Sequence, residues 1–277
     1  MNGRNIRINK LFNQGKNAVI IAIDHGMFDG PIPGMIDLRE TVKKISPEVD
    51  GVLMSPGMLK ACGDFFSYKG APIPIVRLNW STVYCFHWEY EKAATVVAST
   101  ARDAMALGAE IVLVSLTIAT GDEQRDASNV EVYCRLMNEA RELGIPVIGE
   151  YFPAGSDRLT PLQLHEKVYS SCRILSELGT DMIKTFYTND FRKVTGSCPV
   201  PVFGLGAEKM PTQLDALRLA ANEVRDGARG VVFGRNAIQV PDPAAFQQAL
   251  YEVVKNRMKP EEAVAKFGLK DQERTNI

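Results

Sequence analysis

A lysine within an apolar segment is the clearest candidate nucleophile in the sequence. Lys184 lies in the segment DMIKTF, next to Ile183 and close to Phe186. Burial of an ammonium group costs free energy, so such a lysine is expected to be a neutral amine unless a carboxylate pairs with it. A neutral amine can attack a ketone and form an imine. The alternative is a lysine that extends to solvent or pairs with a carboxylate at the rim, and its surroundings alone leave both open.

Groups that could move a proton follow other apolar runs. Asp24 and His25 end the run AVIIAIDHG, and Glu150 and Tyr151 end the run PVIGEY. Asp24 could orient Lys184 or transfer a proton, or it could cap the turn that follows, and His25 could bind a substrate hydroxyl. Neighbouring strand residues point to opposite faces, so only one of Glu150 and Tyr151 should face a site inside the fold unless the strand has ended. We predict Tyr151 as the proton donor, with Glu150 and Asp24 as the alternatives.

Two glycine-containing turns follow the last two apolar runs. The segments PVFGLG and GVVFGRN contain Gly204, Gly206 and Gly234, with Arg235 directly after Gly234. Glycine lets backbone N–H groups approach an anion closely, and an arginine can add a bidentate contact. The alternative is a pair of tight turns that only require positive φ. Because both turns are expected at the same edge of the fold, we favour a phosphate site.

Short apolar runs and helical segments alternate along the whole chain. Near-continuous apolar runs are typical of strands in a parallel sheet that is covered on both faces. Several intervening segments end at a glycine, where a helix C-cap requires a left-handed backbone. The predicted strands are Ala18–Ile23, Gly51–Met54, Ile73–Leu78, Ile111–Leu116, Pro146–Ile148, Asp181–Thr185, Val200–Phe203 and Gly230–Phe233. The clearest predicted helices are Glu91–Leu107, Val130–Leu143, Pro161–Leu178 and Pro211–Asp226.

Eight strands in this alternation predict the α/β class and a (β/α)₈ TIM barrel. The alternative is an open, doubly wound sheet. We expect one domain over residues 1–277, with a helical lead before the first strand and a charged tail after Lys255. In such a barrel the active site lies at the carboxyl ends of the strands. Lys184 and the other polar residues that end the apolar runs are expected to meet there.

The composition limits the partners and cofactors that are expected. The 277 residues are 45% hydrophobic and 23% charged with a net charge of −1, which predicts no electrostatic surface for nucleic acid or an anionic membrane. Five cysteines without CxxC spacing argue against a disulfide framework, and three histidines without ligand spacing argue against a catalytic metal. The sequence shows neither a membrane-length apolar run nor the apolar core of a secretory signal. We expect a cytoplasmic protein without a cofactor.

Three groups of motifs carry a resemblance to a known family. The segment IAIDHG, the segments MIKTFYT, FRKV and CPVPV, and the segment GVVFGRNAIQ resemble the archaeal-type class I fructose-bisphosphate aldolases. That family also includes an aldolase-like transaldolase and a thiolase of autoinducer-2 phosphate breakdown. The similarity extends from about Arg7 to Gln239. It implies a (β/α)₈ barrel, usually a homo-oligomer, that holds its small-molecule partner, a phosphorylated ketose, as a lysine imine.

The same resemblance assigns roles to individual residues. It implies that Lys184 is the Schiff-base residue and that Asp24 and His25 contact the substrate. It further implies that the phosphate is held by Gly206, Gly234 and Arg235.

The chain departs from the family pattern after the fifth predicted strand. The aldolases usually have Tyr-Pro-Arg-Gly there, with the tyrosine as proton donor, whereas this chain has Phe152-Pro153-Ala154-Gly155 preceded by Tyr151. The thiolases also lack that tyrosine and share the CPVP segment. The resemblance therefore implies a class I aldolase first. A coenzyme A-dependent thiolase acting on a phosphorylated dicarbonyl, and a phosphosugar-binding barrel without catalysis, remain as alternatives.

Overall fold

Eight parallel strands close into a barrel, as the alternation of segments predicts. The computed structural model describes residues 2–13, 15–88, 90 and 92–271. Consecutive barrel strands are neighbours, and the last pairs with the first, with Ile20 opposite Val232. This closure rules out the open sheet. The strands are β1 (Ala18–Ala22), β2 (Gly51–Met54), β3 (Ile73–Arg77), β4 (Ile111–Leu116), β5 (Val147–Tyr151), β6 (Met182–Phe186), β7 (Val202–Leu205) and β8 (Gly230–Phe233).

Helices connect the strands and cover the outside of the barrel. The clearest start is that of α7, where Thr160 and Gln163 form a capping box and Pro161 occupies the first turn. The helices are α1 (Asn2–Leu11), α2 (Gly26–Asp29), α3 (Leu38–Val42), α4 (Pro56–Cys62), α5 (Ala101–Ala106), α6 (Glu123–Glu142), α7 (Pro161–Glu177), α8 (Phe191–Ser197), α9 (Gln213–Arg225), α10 (Arg235–Ile238), α11 (Pro243–Asn256) and α12 (Pro260–Phe267).

The predicted glycine C-caps are confirmed. The φ angles of the glycines that follow α5, α6, α7 and α9 lie between 66° and 104°, in the left-handed region. These glycines are Gly108, Gly144, Gly179 and Gly227. Each one turns the chain from a helix directly into the next strand.

The barrel interior has an apolar lower part and a polar mouth. Side chains from alternate strand positions, among them Ile20, Ile75 and Ile148, fill the lower part. The N-terminal lead closes this end, because Leu11 belongs to the same cluster and Phe12 stacks on Phe203 with ring centroids 5.8 Å apart. The larger apolar layer lies between the strands and the helices. The charged residues at the carboxyl ends of the strands therefore stand on a closed apolar base.

The helix predicted over Glu91–Leu107 is wrong in its first half. Glu91 lies outside the described residues, and α5 begins only at Ala101. Thr95–Val97 is instead a strand that pairs antiparallel with Asn79–Ser81, since its β-branched residues favour extended backbone. The chain between β3 and β4 is thus an excursion that runs over the barrel mouth. It includes short 3₁₀ turns at Thr82–Tyr84 and Phe86–Trp88.

Other helix boundaries also differ from the predicted ones. Helix α6 begins at Glu123, about two turns earlier than predicted, after an Asp122 cap. Helix α9 begins at Gln213 after a Thr212 cap, so Pro211 precedes the helix. The charged tail after Lys255 contains α12, and its last residues, 272–277, lie outside the described part of the chain. Among the described residues, none of the helices is both long enough and apolar enough to cross a membrane.

Candidate active site

Lys184 belongs to a buried network of four charged side chains in the barrel mouth. Its Nζ lies 2.5 Å from Oε1 of Glu150. The second oxygen of Glu150 accepts a hydrogen bond from Nη2 of Arg77 at 2.6 Å, and Nε of Arg77 donates to Asp24 at 2.6 Å. Two cations and two carboxylates thus alternate along a chain of contacts. None of the four residues is more than 7% exposed.

Strand register explains why Lys184 and Glu150 meet. The two residues are directly paired between β5 and β6, and Ile183 pairs with Gly149 one position earlier. Alternate strand positions point into the barrel, so both side chains emerge inward at the same height. Arg77 ends β3 and Asp24 follows β1, which brings both to the same polar layer. The sequence left open whether Lys184 pairs with a carboxylate, and in the structure it pairs with Glu150.

The two carboxylates are ionised despite their burial. Burial alone would raise the pKa of Asp24, but Arg77 and Lys184 outweigh it and hold this pKa below its usual value. The pKa of Glu150 is lowered in the same way, with burial opposed by Arg77 and Lys184. A carboxylate that touches a buried lysine can take a proton from its ammonium group or return one. The contact therefore supplies both a route to the neutral amine and an acid–base partner for it.

A wall of aromatic rings borders this network. Tyr84, in the excursion between β3 and β4, donates a hydrogen bond from its hydroxyl to Glu150 Oε2 at 2.9 Å. The Arg77 guanidinium lies 4.7 Å from the centroid of the Tyr84 ring. The Tyr84 ring also packs against Phe28 and Phe152, with both centroid distances 4.7 Å. The rings fix the position of the phenol and limit water access to Glu150.

His25 lies on the opposite side of the mouth and is neutral. Burial lowers its pKa from 6.5 to about 4; Asp24 opposes this shift, and Arg235, Lys184 and Arg77 add to it. Its contact with Asp24, 3.9 Å from Nδ1 to Oδ1, is therefore not an ion pair at neutral pH. A Cβ at Gly234 would overlap the His25 ring, so glycine at that position makes room for the imidazole. A neutral imidazole can both donate and accept a hydrogen bond from a substrate hydroxyl.

The loops after β7 and β8 lie beside His25 and form a second polar region. Asn236 joins the loops, because its Nδ2 donates to the carbonyl oxygens of Gly206 and Glu208 at 2.6 and 2.8 Å. Arg235 donates from Nη2 to the carbonyl of Ala207 at 3.1 Å. Its buried Nε has no hydrogen-bond partner among the residues that the structure describes. Arg235 therefore places positive charge on the wall of the cavity.

The network and these loops line one cavity of about 1590 Å³. Of the residues predicted from sequence, Asp24, His25, Lys184, Gly206, Gly234 and Arg235 all lie on its wall. Glu150, the predicted alternative proton carrier, lies there too. Lysines and an arginine at its outer edge, Lys92, Arg158 and Lys209, add positive charge.

Two of the predicted site positions are wrong. Tyr151 lies on the outer face of β5, in the apolar layer under α7, and burial raises its pKa to about 12. It is adjacent to Glu150, so the alternation of the strand turns it away from the mouth. Gly204 also faces outward, where a Cβ would overlap the carboxyl of Glu223 on α9. Its glycine is explained by close strand–helix packing and not by phosphate binding.

Two residues of the site were missed by the predictions. Arg77 carried a signal, since a charged residue within the apolar run IPIVRL must find a partner if the strand is buried. Tyr84 carried none, because it lies in a loop whose path depends on the antiparallel pairing of Asn79–Ser81 with Thr95–Val97. Its hydroxyl reaches the centre of the site only through that excursion.

Comparisons with known proteins place this chain in a family. The family model "DeoC/LacD family aldolase" matches residues 18–240, from β1 to the residues after α10. An uncharacterized aldolase of Saccharolobus solfataricus is 31% identical over 259 residues, which cover 92% of this chain and 95% of that protein. The 3-hydroxy-5-phosphonooxypentane-2,4-dione thiolase of Enterobacter sp. (strain 638) is 27% identical over 263 residues, covering 94% and 84%.

Solved structures agree with this assignment. A crystal structure of an archaeal fructose 1,6-bisphosphate aldolase superposes with a TM-score of 0.77 at 26% identity, covering 91% of this chain and 98% of that one. Another archaeal fructose-1,6-bisphosphate aldolase structure, with its catalytic lysine covalently bound to the carbinolamine intermediate of the substrate, has the same TM-score and identity. The barrel fold is shared with these aldolases, and the chain belongs to the DeoC/LacD family of aldolases.

Proposed function

We propose that this protein is a class I aldolase that cleaves or forms a carbon–carbon bond in a phosphorylated ketose through an imine on Lys184. The observation that carries the proposal is the contact between Lys184 and Glu150 in the barrel mouth. Nζ of Lys184 lies 2.5 Å from Oε1 of Glu150, and the lysine is only 7% exposed. It combines a nucleophile with a group that can take its proton, next to a cavity large enough for a sugar phosphate.

Imine formation follows from this contact. Glu150 takes a proton from the Lys184 ammonium, and the neutral amine attacks the ketone carbon of the substrate. The carbonyl oxygen receives the proton from Glu150 and, after a second proton transfer, leaves as water. The product is a protonated imine, which accepts the electron pair of the breaking carbon–carbon bond. Arg77 holds Glu150 and Asp24 in place throughout, because it contacts both carboxylates at 2.6 Å.

The second polar region is suited to the phosphate of the substrate. Gly206 and Gly234 lie on the wall of the cavity, where their backbone is not covered by side chains of their own, and Arg235 adds a guanidinium beside them. His25, on the path between these loops and Lys184, is suited to hold a substrate hydroxyl. The phosphate end and the reacting carbonyl would then occupy two sides of one cavity, which orients the ketone toward the lysine.

Turnover of a panel of ketose phosphates tests this proposal. The protein should release an aldehyde and a smaller ketone from at least one of them, and Lys184→Ala should lower kcat by about 10³-fold or more. Lys209→Ala is the matched control, because Lys209 lines the outer edge of the same cavity; it should affect mainly KM. Equal activity of wild type and Lys184→Ala, or no cleavage of any member of the panel, would contradict the proposal.

A thiolase is the second candidate function. It is supported by the thiolase relative at 27% identity and by Phe152, which places an apolar ring where the aldolases of the resemblance carry their tyrosine. Lys184 would have the same role, with the acyl fragment passed to coenzyme A. Cleavage of a phosphorylated dicarbonyl that depends strictly on added coenzyme A would select this function, whereas cleavage of a ketose phosphate without coenzyme A selects the aldolase.

A further inference from the structure

The imine chemistry requires a proton carrier that reaches the substrate hydroxyl as well as one that serves the lysine. For the carbon–carbon bond to break, the hydroxyl on the departing carbon must lose its proton. Tyr151 faces the outer layer, and Phe152 has no hydroxyl. Asp24 is bound to Arg77, which also binds Glu150. A further acid–base group in contact with the Glu150–Lys184 pair could serve that hydroxyl.

Contacts to Glu150 identify such a group. Within the described part of the chain, three side chains donate to its oxygens: Lys184, Arg77 and Tyr84. Lys184 is occupied as the imine, and the arginine guanidinium does not give up its proton in proteins. The Tyr84 hydroxyl, 2.9 Å from Oε2, is thus the group that can exchange a proton with Glu150 while the substrate is covalently bound. Tyr84 also lines the cavity itself.

From this geometry we propose that Tyr84 is the acid–base residue that acts at the substrate, with Glu150 as its proton partner. The inference rests on the proposed aldolase function. It assigns to the excursion between β3 and β4 a catalytic purpose, which is to place one phenol beside the lysine.

The proton transfer can be written so that charge and atoms balance. The substrate hydroxyl gives its proton to Oη of Tyr84 as the Tyr84 proton passes to Oε2 of Glu150. The carbon–oxygen bond becomes a carbonyl, and the carbon–carbon bond breaks. Its electron pair forms the enamine double bond, and the π electrons of the iminium become the lone pair of the nitrogen. The aldehyde leaves, and the same proton later returns from Glu150 through Tyr84 to the enamine carbon.

The charge on the Lys184 nitrogen changes during the reaction, and this change favours proton transfer to Glu150 as the carbon–carbon bond breaks. The iminium is positive, and it stabilises the Glu150 carboxylate at close range. When the bond breaks, the nitrogen becomes neutral, so Glu150 loses one of its two cationic partners and becomes a stronger base. Glu150 therefore accepts the proton as the bond breaks and releases it when the iminium forms again.

The position of Tyr84 is fixed as a catalytic group requires. Its ring is held between Phe28 and Phe152, with the Arg77 guanidinium over it. Burial and the neighbouring Glu150 raise its pKa, which keeps the phenol protonated before the reaction. The strand Asn79–Ser81 anchors the turn that carries it, because Asn79 exchanges hydrogen bonds with the backbone of Ser115 on β4 at 2.7 and 2.9 Å.

Dihydroxyacetone phosphate, the smallest ketose phosphate of this type, allows the proposal to be tested in two separate steps. Borohydride reduction traps its imine, and proton exchange of its hydroxymethyl carbon with D₂O, followed by NMR, reports enamine formation. In Tyr84→Phe, trapping should persist, whereas exchange should fall by about 10²–10⁴-fold. Tyr151→Phe is the matched control, because this tyrosine is also buried but lies on the outer face of β5, away from the barrel mouth. It should retain both steps.

A second variant removes any dependence on folding. Replacement of Tyr84 by 3-fluorotyrosine keeps the ring and hydroxyl but makes the phenol more acidic, so the pH profile of exchange should shift toward lower pH. The same replacement at Tyr151 should leave the profile unchanged. The proposal is overturned if Tyr84→Phe exchanges within about threefold of wild type, if it loses trapping and exchange together, or if fluorination at residue 84 leaves the profile unmoved.

The two proposals fail differently. If the wild-type protein traps no ketose phosphate, the aldolase function itself is wrong. If the wild type traps and exchanges, but Tyr84→Phe does so equally well, the aldolase function stands and only the role of Tyr84 is lost.

Discussion

Two glutamates, both at most 1% exposed, occupy different layers of this barrel. Glu150 points into the barrel mouth and receives contacts from Lys184, Arg77 and Tyr84. Glu223, on α9, points at the outer face of β7, and neither of its oxygens has a hydrogen-bond partner among the described residues. Burial is the same in both places, but the surroundings are opposite.

The difference appears in their charge states. Burial opposes ionisation of Glu150, yet Arg77 and Lys184 lower its pKa. Burial alone acts on Glu223 and raises its pKa well above the ordinary value, so this carboxyl is a neutral acid. Counter-charges, and not exposure, therefore decide which buried carboxylate can exchange protons at neutral pH. The barrel supplies such counter-charges in the mouth and not beneath α9.

The largest expected effect separates the two glutamates by the same substitution. Glu150→Gln removes the charge that Arg77 and Lys184 share, so cleavage should fall by about 10²–10⁴-fold and the free energy of unfolding by about 3 kcal/mol. Glu223→Gln removes no charge and should retain full activity without loss of stability. Steady-state kinetics and urea unfolding measure both. Equal effects of the two substitutions would show that the comparison is wrong.

A middle-sized effect is expected at the glycine that accommodates Glu223. Gly204→Ala should lower the free energy of unfolding by about 1–3 kcal/mol, because its Cβ would overlap the Glu223 carboxyl. In a Glu223→Ala background the cost should shrink, which a double-mutant cycle detects as a coupling free energy. If the loss of stability is the same in that background, packing against Glu223 does not explain the glycine at position 204, and the phosphate-binding role first predicted for it is again open.

The smallest effect concerns pH. A carboxyl whose folded pKa is raised contributes stability that is fully present below its unfolded pKa and is lost as pH rises toward the folded pKa. The stability of Glu223→Gln relative to wild type should therefore increase from pH 4.5 upward. For Glu150, whose folded pKa is lowered, the sign is reversed, and its contribution is lost as pH falls through the folded pKa. Chemical unfolding at several pH values measures how the free energy of unfolding of each variant depends on pH. If the difference between Glu223→Gln and wild type does not change with pH, a neutral Glu223 is contradicted.

Local sequence patterns predicted the barrel and the position of Lys184 in its mouth. Strand runs that end in a polar residue, and glycines that end helices, are short-range signals, and Lys184 and Gly179 are examples of each. Which side of a strand faces the mouth depends on register with neighbouring strands. For this reason Tyr151 was predicted in the site when its neighbour Glu150 occupies it. Tyr84 was missed for a related reason. The loop that carries it is positioned by the antiparallel pairing of Asn79–Ser81 with Thr95–Val97, two segments that are separated in the sequence.

Gly204 shows a third limit. A glycine required for close packing and a glycine required for an anion look the same in a sequence, because both only need an absent side chain. The structure separates them by position: Gly204 packs against the Glu223 carboxyl on the outer face of β7, whereas Gly206 lies on the wall of the cavity.

The location of the borohydride adduct tests the central claim most directly. Reduction of the protein with a ketose phosphate that it cleaves, followed by peptide mass spectrometry, should place the added mass on the peptide containing Lys184, and Lys184→Ala should show no adduct. An adduct on another lysine of the cavity, such as Lys209 or Lys92, would contradict the account. So would full cleavage without any adduct.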